Sequence, residues 1–441
     1  MTLRSNRSTW WSSIGAAALG VIYPEVIAAQ PVTRGEISAA DTAWVLMSSA
    51  LVLAMIVPGL ALFYGGLVRS KNVLGTIMQS FTILCLVSVL WVLIGYSLSF
   101  GPDKKGLIGG WEWIGLREVS LIPHPTYGPT IPHQAFMTFQ MMFAAITPAL
   151  ITGAFAERMK FRAVVLFAGL WSIFVYAPVA HWMWGGGWLN ELGALDFAGG
   201  AVVHISSGLS ALVCALVLGA RHGYGSDYLA PHNLPMTLLG TGLLWFGWFG
   251  FNAGSALGAN NVAVTAFLAT HMAAAAGALT WMFVEWAHRG TPTVLGIASG
   301  AVAGLATVTP SAGYVGYGAA LLIGLAAGVL SYAAINWKSR LGYDDSLDVV
   351  GIHGVGGVFG ILATGLFASK AINPNGADGL LAGNPGLVGV QLVAATAVAL
   401  LACVGTYVIL KLIDRIVGLR ISPEQERQGL DLTQHNERAY S

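Results

Sequence analysis

The chain has 441 residues and a net charge of +1; 56% of its residues are hydrophobic and only 9% are charged. An ordinary soluble domain carries roughly 25% charged residues, so this composition excludes a water-soluble globule and indicates a protein whose main solvent is lipid. The near-zero net charge gives no reason to expect nucleic acid as a partner.

The first thirty residues have the pattern of a secretory signal. Two arginines precede a mostly apolar run from Trp10 to Val26, and residues 26–28 are the small or β-branched kind that signal peptidase reads. An uncleaved transmembrane helix is the alternative, but Pro24 and Glu25 interrupt the run before the ~20 residues that a span needs. We therefore predict a signal peptide over residues 1–28, which places the mature N-terminus outside.

Eleven hydrophobic runs follow, each bounded by glycine, proline or charged residues. Backbone groups within the hydrocarbon must pair inside their own segment, so runs without strand-like alternation are predicted to be helices. The fold class is therefore all-α: a polytopic membrane protein with eleven transmembrane helices within residues 40–418, followed by a tail over 419–441. The predicted spans are about 42 to 65, 73 to 100, 134 to 155, 162 to 183, 196 to 219, 234 to 253, 262 to 287, 293 to 309, 313 to 337, 347 to 369 and 386 to 417.

Cationic residues predict the orientation of these helices. Nine of them lie in alternate loops on one side against four on the other, and the positive-inside rule places the richer side in the cytoplasm. An odd number of spans with the N-terminus outside also puts the tail in the cytoplasm. Both arguments predict a multi-pass membrane protein with its N-terminus outside and its C-terminus in the cytoplasm. The nine cations are Arg69, Lys71, Arg158, Lys160, Arg162, Arg221, Arg289, Lys338 and Arg340.

Two glycine-rich helices indicate an internal duplication. Each contains one acid and one histidine: Asp196 and His204 in the fifth span, Asp348 and His353 in the tenth. Helices one to five and six to ten would then form two halves, inverted in the membrane because five is odd. Inverted repeats place a substrate path at their interface near the midplane.

The two histidines are the candidate functional groups within the spans. Ionisable side chains are costly in lipid and usually face the interior of a bundle or a pathway. For either histidine alone, a structural hydrogen bond to a carbonyl is an equal alternative, whereas their corresponding positions favour a functional pair. Asp196 and Asp348 have the positions of helix N-caps and are interpreted first as structural.

A metal site is poorly supported by the sequence. Neither histidine belongs to an H-x-x-x-H or H-E-x-x-H motif. Cys85, Cys214 and Cys403 lie in apolar stretches without C-x-x-C spacing, so neither a disulfide framework nor a zinc site is predicted.

Aromatic residues concentrate at the outer ends of three spans. They are residues 139–143 at the start of the third, 181–187 at the end of the fourth and 245–255 at the end of the sixth. An aromatic belt at the lipid headgroups is one interpretation. The other is a cation-binding mouth, because a ring face attracts a cation by ~0.5 to 2 kcal/mol when partly desolvated.

Five sets of motifs stand in order along the chain: Pro58-Gly59 with Phe63-Tyr64-Gly65-Gly66; Ala156-Glu157-Arg158; Asp196-Phe197-Ala198-Gly199-Gly200 with Val203-His204; Gly247-Trp248-Phe249-Gly250-Phe251-Asn252-Ala253-Gly254-Ser255; and Asp348 with Gly351-Ile352-His353-Gly354-Val355. Together they closely resemble bacterial ammonium transporters of the Amt/Mep/Rh family. The resemblance covers residues 40 to 440. It implies an inverted five-plus-five repeat of helices and a homotrimer with one narrow pore in each subunit. It also implies a place in the bacterial inner membrane, with a periplasmic N-terminus and a cytoplasmic C-terminus.

The resemblance also implies roles for residues at the outer mouth. Phe143, Trp184 and Ser255 would form an external ammonium site, with two rings for the cation and one hydroxyl acceptor. Phe143 and Phe251 would be a stacked gate beneath it. Asp196 would support the outer site without necessarily touching the ion.

Deeper in the pore, the resemblance makes His204 and His353 a hydrogen-bonded pair that transfers protons, with Trp248 packed beside it. Ser206 and Ser207 depart from the family pattern, and their hydroxyls put the local wetting of the pore in question. The tail resembles the family's cytoplasmic tail, which implies a docking site for a PII-type nitrogen-signalling protein. The resemblance implies no cofactor.

These features predict a transporter that separates ammonium from potassium by chemistry, because the two ions are similar in size. A bare cation in an apolar lumen has an idealised cost of order 20 kcal/mol, reduced to several by water and relaxation. Ammonium can leave its proton behind and cross as ammonia. The alternative functions are an ammonium sensor that signals through its tail and an integral-membrane metalloenzyme, for which we find neither a third ligand nor an activated water.

Overall fold

The computed structural model describes residues 36–440, and eleven apolar helices make up most of this part of the chain. The predicted signal peptide over residues 1–28 lies outside the described residues. The helices are α1 Ala39–Leu67, α2 Ser70–Phe100, α3 His133–Phe155, α4 Phe161–Glu191, α5 Gly200–Leu218, α6 Leu234–Ala256, α7 Asn261–Arg289, α8 Val294–Val308, α9 Tyr317–Leu341, α10 Val350–Phe367 and α11 Gly386–Val417. Two short helices, α12 Pro423–Gln428 and α13 Leu430–His435, form the tail.

The prediction of an all-α membrane protein with eleven helices is confirmed. Ten of the helices are long and apolar enough to cross a bilayer, and α8 is a shorter apolar helix of 15 residues. At a rise of 1.5 Å per residue, α8 is about 22 Å long, against about 30 Å of hydrocarbon. It therefore reaches across most of the membrane core.

Two hairpins of short strands lie between α2 and α3. They pair β1 Asp103–Lys104 with β2 Ile108–Gly109, and β3 Pro123–His124 with β4 Gly128–Pro132. The side of the bundle that carries them is called the hairpin face, and the opposite side is called the tail face. The strands are too short to alter the helical fold, but the first hairpin packs against the end of α4.

Several helices contain π-helical turns, and two of these turns hold the candidate histidines. The first turn of α5, Gly200–Ile205, contains His204, and the first turn of α10, Val350–Gly354, contains His353. A π-helical turn inside a helix frequently marks a functional site. The two histidine-bearing helices therefore share a local distortion as well as a composition.

Helices α7, α8 and α9 pack through their small residues. A Cβ atom added at Gly304 of α8 or at Gly324 of α9 would collide with the same carbonyl oxygen, that of Ala273 in α7. These glycines allow three backbones to meet closely, as small residues do in membrane bundles.

The tail is docked against the bundle along most of its length. The Lys160 amide donates to the Leu419 carbonyl at 2.9 Å, and the Ile421 amide donates to the Arg158 carbonyl at 3.1 Å. Further along, the Gly75 amide at the start of α2 donates to Asp431 Oδ1 at 2.8 Å. Residues 419–440 are thus part of the folded body and cover loops between its helices.

Two of the nine cations that predicted the orientation, Arg158 and Arg221, are buried at the tail face, and Arg69 is partly buried there. Arg221 makes a forked contact with Asp344, with Nε to Oδ2 at 2.8 Å and Nη2 to Oδ1 at 2.9 Å. Arg69 pairs with Glu157 at 2.6 Å, and Arg158 donates mainly to carbonyl oxygens. Burial alone would raise the pKa of Glu157, but the bonds and charge of Arg69 outweigh it, so the pKa is lowered.

Removing one member of this network should destabilise the fold. We expect Asp344→Ala to lower the free energy of unfolding by about 3 to 5 kcal/mol, because it leaves the Arg221 guanidinium buried without its carboxylate. Thermal unfolding in detergent measures the effect. Glu112→Ala is the matched control, because its partner Lys104 is exposed, and it should unfold like the wild type. Equal unfolding of all three proteins would contradict a structural role for the pair.

Candidate functional site

A narrow apolar cavity at the centre of the bundle contains both candidate histidines. Its volume is about 10 Å³, roughly the room that one water molecule needs. Six helices contribute to its wall, with side chains that include Tyr64, Leu150, His204, Phe251, Val302 and His353. A path through this region can hold small molecules only in single file.

The two histidines share one hydrogen bond. His204 Nδ1 and His353 Nδ1 are 3.1 Å apart, the rings are nearly parallel, and both side chains are buried. One Nδ1 must donate and the other accept, so in the neutral pair one Nε2 is an acceptor and the other a donor. His204 Nε2 is buried and has no partner within residues 36–440. The pair can therefore hydrogen-bond a small polar molecule without carrying a net charge.

Trp248 and Phe251 of α6 pack on the ring of His204. The ring centroids are 5.6 and 6.0 Å from it, and both interplanar angles are below 30°. Trp248 Nε1 donates to Thr309 Oγ1 at 3.0 Å. The resemblance implies that Trp248 packs beside the histidine pair, and in the structure its ring stacks on that of His204.

Above the histidines, toward the hairpin face, two phenyl rings close the cavity. The centroids of Phe143 and Phe251 are 4.4 Å apart, and each side chain is 1% exposed. Trp184 meets Phe143 edge to face at 5.9 Å. The two rings predicted as a gate thus lie between the histidine cavity and the next cavity outward.

That outer cavity is polar, and it brings together the residues predicted to bind ammonium. Phe143, Trp184 and Ser255 all line it, within a volume of about 420 Å³. Ser255 Oγ donates to the Phe251 carbonyl at 2.9 Å, so its lone pairs are left to accept a hydrogen bond. The mouth therefore offers ring faces together with an oxygen acceptor.

Gln140 is a further residue of this mouth that we did not predict. It lines the same cavity, and its buried Oε1 has no partner in the described part of the chain. Gln140 lies three residues before Phe143 in α3, a spacing that places two side chains on one face of a helix. The sequence contains this spacing, but the aromatic residues on either side of Gln140 are the stronger signal of a binding site.

Asp196 supports the mouth through the backbone. Its carboxylate accepts hydrogen bonds of 2.6 to 3.1 Å from the amides of Gly199, Gly200, Ala201 and Val202. Its own carbonyl accepts from Trp184 Nε1 at 2.8 Å. The Asp196 carboxylate thus caps α5, while the Asp196 backbone carbonyl holds the Trp184 ring in place.

The acid before α10 that corresponds to Asp196 before α5 is Asp345, and not Asp348 as we expected. Asp345 precedes His353 by eight residues, as Asp196 precedes His204, and its Oδ2 accepts from the Val350 amide at 2.7 Å. Asp348 instead pairs with Lys338 at 2.5 Å. Burial raises the pKa of Asp345 to about 6. Both α5 and α10 therefore have an aspartate, eight residues before the histidine, that accepts from backbone amides at the start of the helix.

The added hydroxyls of Ser206 and Ser207 are directed to the backbone. They donate to the carbonyls of Val202 and Val203, both at 2.5 Å. Their polar groups are therefore satisfied within α5, and neither side chain lines the histidine cavity.

The arrangement suits a small cation that loses a proton on the way inward. Ring faces and oxygens favour a cation in the outer cavity, and the apolar cavity beneath favours a neutral molecule. No group of three or more His, Cys, Asp or Glu side chains that could hold a metal ion is present among residues 36–440.

Comparisons with known proteins bear on this geometry. The model of the Ammonium Transporter Family matches residues 43–440. An ammonium transporter of Bacillus subtilis (strain 168) is 52% identical over 401 residues, covering 91% of this chain and 98% of the relative. The crystal structure of Saccharomyces cerevisiae Mep2 is similar with a TM-score of 0.83 and 36% identity, covering 88% and 89% of the two chains. A structure described as a sensor Amt protein has a TM-score of 0.83 at 30% identity, covering 90% and 98%.

Proposed function

The chain belongs to the ammonium transporter family, and we propose that it recognises ammonium at the hairpin face, deprotonates it near the gate and conducts ammonia along the histidine pair. The observation that carries this proposal is the single hydrogen bond between His204 and His353 in an otherwise apolar cavity. Two neutral imidazoles can hold ammonia and relay a proton, and an aliphatic lining can do neither.

Recognition at the outer cavity uses two properties of ammonium. Its positive charge is attracted to the faces of Phe143 and Trp184, and its N–H groups can donate to the oxygens of Ser255 and Gln140. A neutral amine gains less from the rings. Potassium gains from the rings as well, so the outer cavity alone does not exclude it.

Exclusion of potassium comes from the cavity beneath the gate. A cation that enters it gives up water for aliphatic walls, a penalty of several kcal/mol after relaxation. Ammonium avoids the penalty by giving its proton to the acceptor Nε2 of the histidine pair beneath the gate, where His204 Nε2 has no other partner among the described residues. The proton follows separately, and the shared Nδ1 to Nδ1 bond gives it a route, because moving the shared proton exchanges the donor and acceptor roles of the two outer nitrogens.

The test is uptake of labelled methylammonium by proteoliposomes that contain the purified protein, with current recorded in parallel. Transport predicts saturable uptake above that of empty vesicles. An ammonium sensor is the second candidate, favoured by the likeness to the sensor Amt protein and by the docked tail. A sensor without transport activity would bind the cation but leave uptake at the level of empty vesicles.

We also propose an orientation and an assembly. The hairpin face would lie in the periplasm and the tail face in the cytoplasm, as the cationic loops indicate. Cleavage after residue 28 would leave a membrane domain over residues 40–418 and a regulatory tail over 419–441, in a homotrimer with one pore in each subunit. A protease added outside intact cells should leave the tail uncut.

Removing the tail should abolish docking of a PII-type protein. The tail presents charged groups beside a loop of the bundle: Glu426 accepts from the His222 amide at 2.6 Å, and Glu424 and Arg427 are exposed. Truncation after Gly418 is expected to remove all retention of the partner on washed membranes. Unfolding temperature and methylammonium uptake control for folding of the truncated protein. Equal retention by the full and truncated chains would contradict the assignment.

A further inference from the structure

His181 is a buried histidine that the proposed pathway does not use. It lies in the last turns of α4, three residues before Trp184, and its side chain is 0% exposed. Its Nδ1 is 3.0 Å from the backbone carbonyl oxygen of Ser99, and its Nε2 is 2.8 Å from Oδ1 of Asp103. Both ring nitrogens therefore face oxygen atoms.

The two hydrogen-bond partners of His181 determine the charge of its ring. A carbonyl oxygen can only accept, so Nδ1 must carry a hydrogen. The hydrogen bond to His181 lowers the pKa of the Asp103 carboxyl, which keeps it ionised at neutral pH, and an ionised carboxylate also only accepts. The Asp103 carboxylate already accepts from the Gly106 amide. Nε2 must then carry a hydrogen too, and a ring with two N–H groups is an imidazolium.

The charged pair lies directly against the backbone that follows Trp184. The Gly185 amide donates to the His181 carbonyl at 3.0 Å. A Cβ atom at Gly185 would collide with the Ser99 carbonyl oxygen and would be 2.6 Å from His181 Nδ1. The turn at residues 185–187, which follows the stretch Ala177–Trp184 within α4, therefore rests on the pair. A shift of the pair would move this turn and with it the Trp184 ring.

Uncharged hydrogen bonds also connect the first hairpin to α4, and we call this contact the junction. Trp182 Nε1 donates to the Leu107 carbonyl at 2.8 Å, and the Trp188 amide donates to the Gly106 carbonyl at 3.0 Å. These bonds join the first hairpin to the end of α4. Unlike these bonds, the contact between His181 and Asp103 depends on the protonation states of both side chains.

Other titratable groups face the pair. Tyr127 donates to the Gly185 carbonyl at 3.3 Å, and burial together with the charge of Asp103 raises its pKa to about 12, so it stays neutral. Lys104, next to Asp103, pairs with Glu112 at 2.7 Å on the solvent side. Their opposite charges offset one another, which leaves His181 and Asp103 as the groups whose ionisation controls the junction.

We propose that His181 is a positioning residue, held as an imidazolium by Ser99 and Asp103, and that its second proton is required for Trp184 to lie correctly in the outer cavity. The inference rests on the proposed role of that cavity in ammonium recognition. The pair is complete only while Asp103 is ionised and His181 is doubly protonated. Positioning therefore fails when either group loses its charge.

Asp103→Asn removes the negative charge of residue 103 but keeps its hydrogen bonds to His181 and Gly106. The amide of asparagine can donate to Nε2 of a neutral His181 and can still accept from Gly106, so the junction forms with one proton fewer. We measure the apparent KM for methylammonium in proteoliposomes from about pH 6 to about pH 9, corrected for the cationic fraction of the substrate. The wild-type KM should rise about 3- to 10-fold at the alkaline end, because a displaced Trp184 ring gives up part of its attraction for the cation, while that of Asp103→Asn stays level.

The protonation state can be observed directly by nitrogen NMR of histidine-labelled protein. At neutral pH both ring nitrogens of His181 should have the shifts of protonated nitrogen, and His181→Gln identifies the signal by its loss. In Asp103→Asn only one should. A single protonated nitrogen in the wild type would overturn the inference even if a variant fails to fold.

Trp184→Leu distinguishes failure of this inference from failure of the proposed function. If Trp184→Leu leaves the apparent KM unchanged, the outer cavity does not recognise the cation and the proposed function fails. If Trp184→Leu raises the KM but the wild type and Asp103→Asn have the same pH profile, the positioning role of His181 is wrong and the recognition site stands. The histidines of the pore are present in all these proteins, so their titration contributes equally.

Discussion

Replacing His204 with aspartate is expected to let potassium through. The substitution places a fixed negative charge in a cavity whose exclusion of cations depends on having none. Offsetting about 3 kcal/mol of the desolvation penalty would raise cation entry by about two orders of magnitude. Potassium current in proteoliposomes should therefore appear in His204→Asp, and ammonia conduction should decline as water and cations occupy the lumen.

The other variants of this series test whether the two rings act as a pair. Because they share a hydrogen bond, His353→Asp and the double variant should give effects that are not additive with those of His204→Asp. His232→Asp is the matched control, since His232 bonds to the Val68 carbonyl and to Tyr440 at the tail face, away from the cavity. If every variant stays as selective as the wild type, the histidines only fill space.

Leucine in place of Phe143 or Trp184 should weaken recognition of the cation. Loss of one ring face removes roughly 0.5 to 2 kcal/mol of attraction, which corresponds to an increase of about 2- to 30-fold in the apparent KM for methylammonium.

Phe249→Leu is the control for an aromatic belt. Phe249 lies in the same aromatic motif of α6, but it stacks on Phe267 at 3.8 Å and lines a different, apolar groove. Its replacement should leave the KM unchanged. If all three leucine variants behave like the wild type, the rings at the mouth belong to the belt and not to a binding site.

The eleven helices and the histidine pair could be predicted from the sequence for clear physical reasons. Hydropathy along the chain directly reports contact with lipid. A histidine in an apolar span is expected to face the interior of the bundle or a pathway. His204 and His353 stand out because glycines and aliphatic residues surround them. The resemblance then supplied the partners Phe143, Trp184, Ser255 and Phe251, which lie on three helices and are close only in three dimensions.

The starts of some helices were less predictable. The fifth span was expected from residue 196 and the tenth from residue 347, whereas α5 begins at Gly200 and α10 at Val350. In both places an aspartate accepts backbone amides before the helix starts, and hydropathy is insensitive to such turns. The spacing of eight residues from Asp196 to His204 recurs from Asp345 to His353 in the sequence, but Asp348, which lies nearer to His353, hides the correspondence.

Contacts between distant segments could not be predicted at all. The docking of the tail depends on backbone bonds such as that from Lys160 to Leu419, which carry no residue signature. The pairing of His181 with Asp103 joins residues 78 positions apart. Side-chain types at those positions show that such bonds are possible, and only the fold brings the partners together.

The most direct test of the account is methylammonium uptake by wild-type proteoliposomes in the presence of a large excess of potassium, with potassium flux measured in the same vesicles. The account predicts that uptake continues while potassium flux stays at the level of empty vesicles, because the cavity beneath the gate admits a neutral molecule and excludes a cation. Potassium flux that rises together with methylammonium uptake would contradict passage as ammonia along His204 and His353.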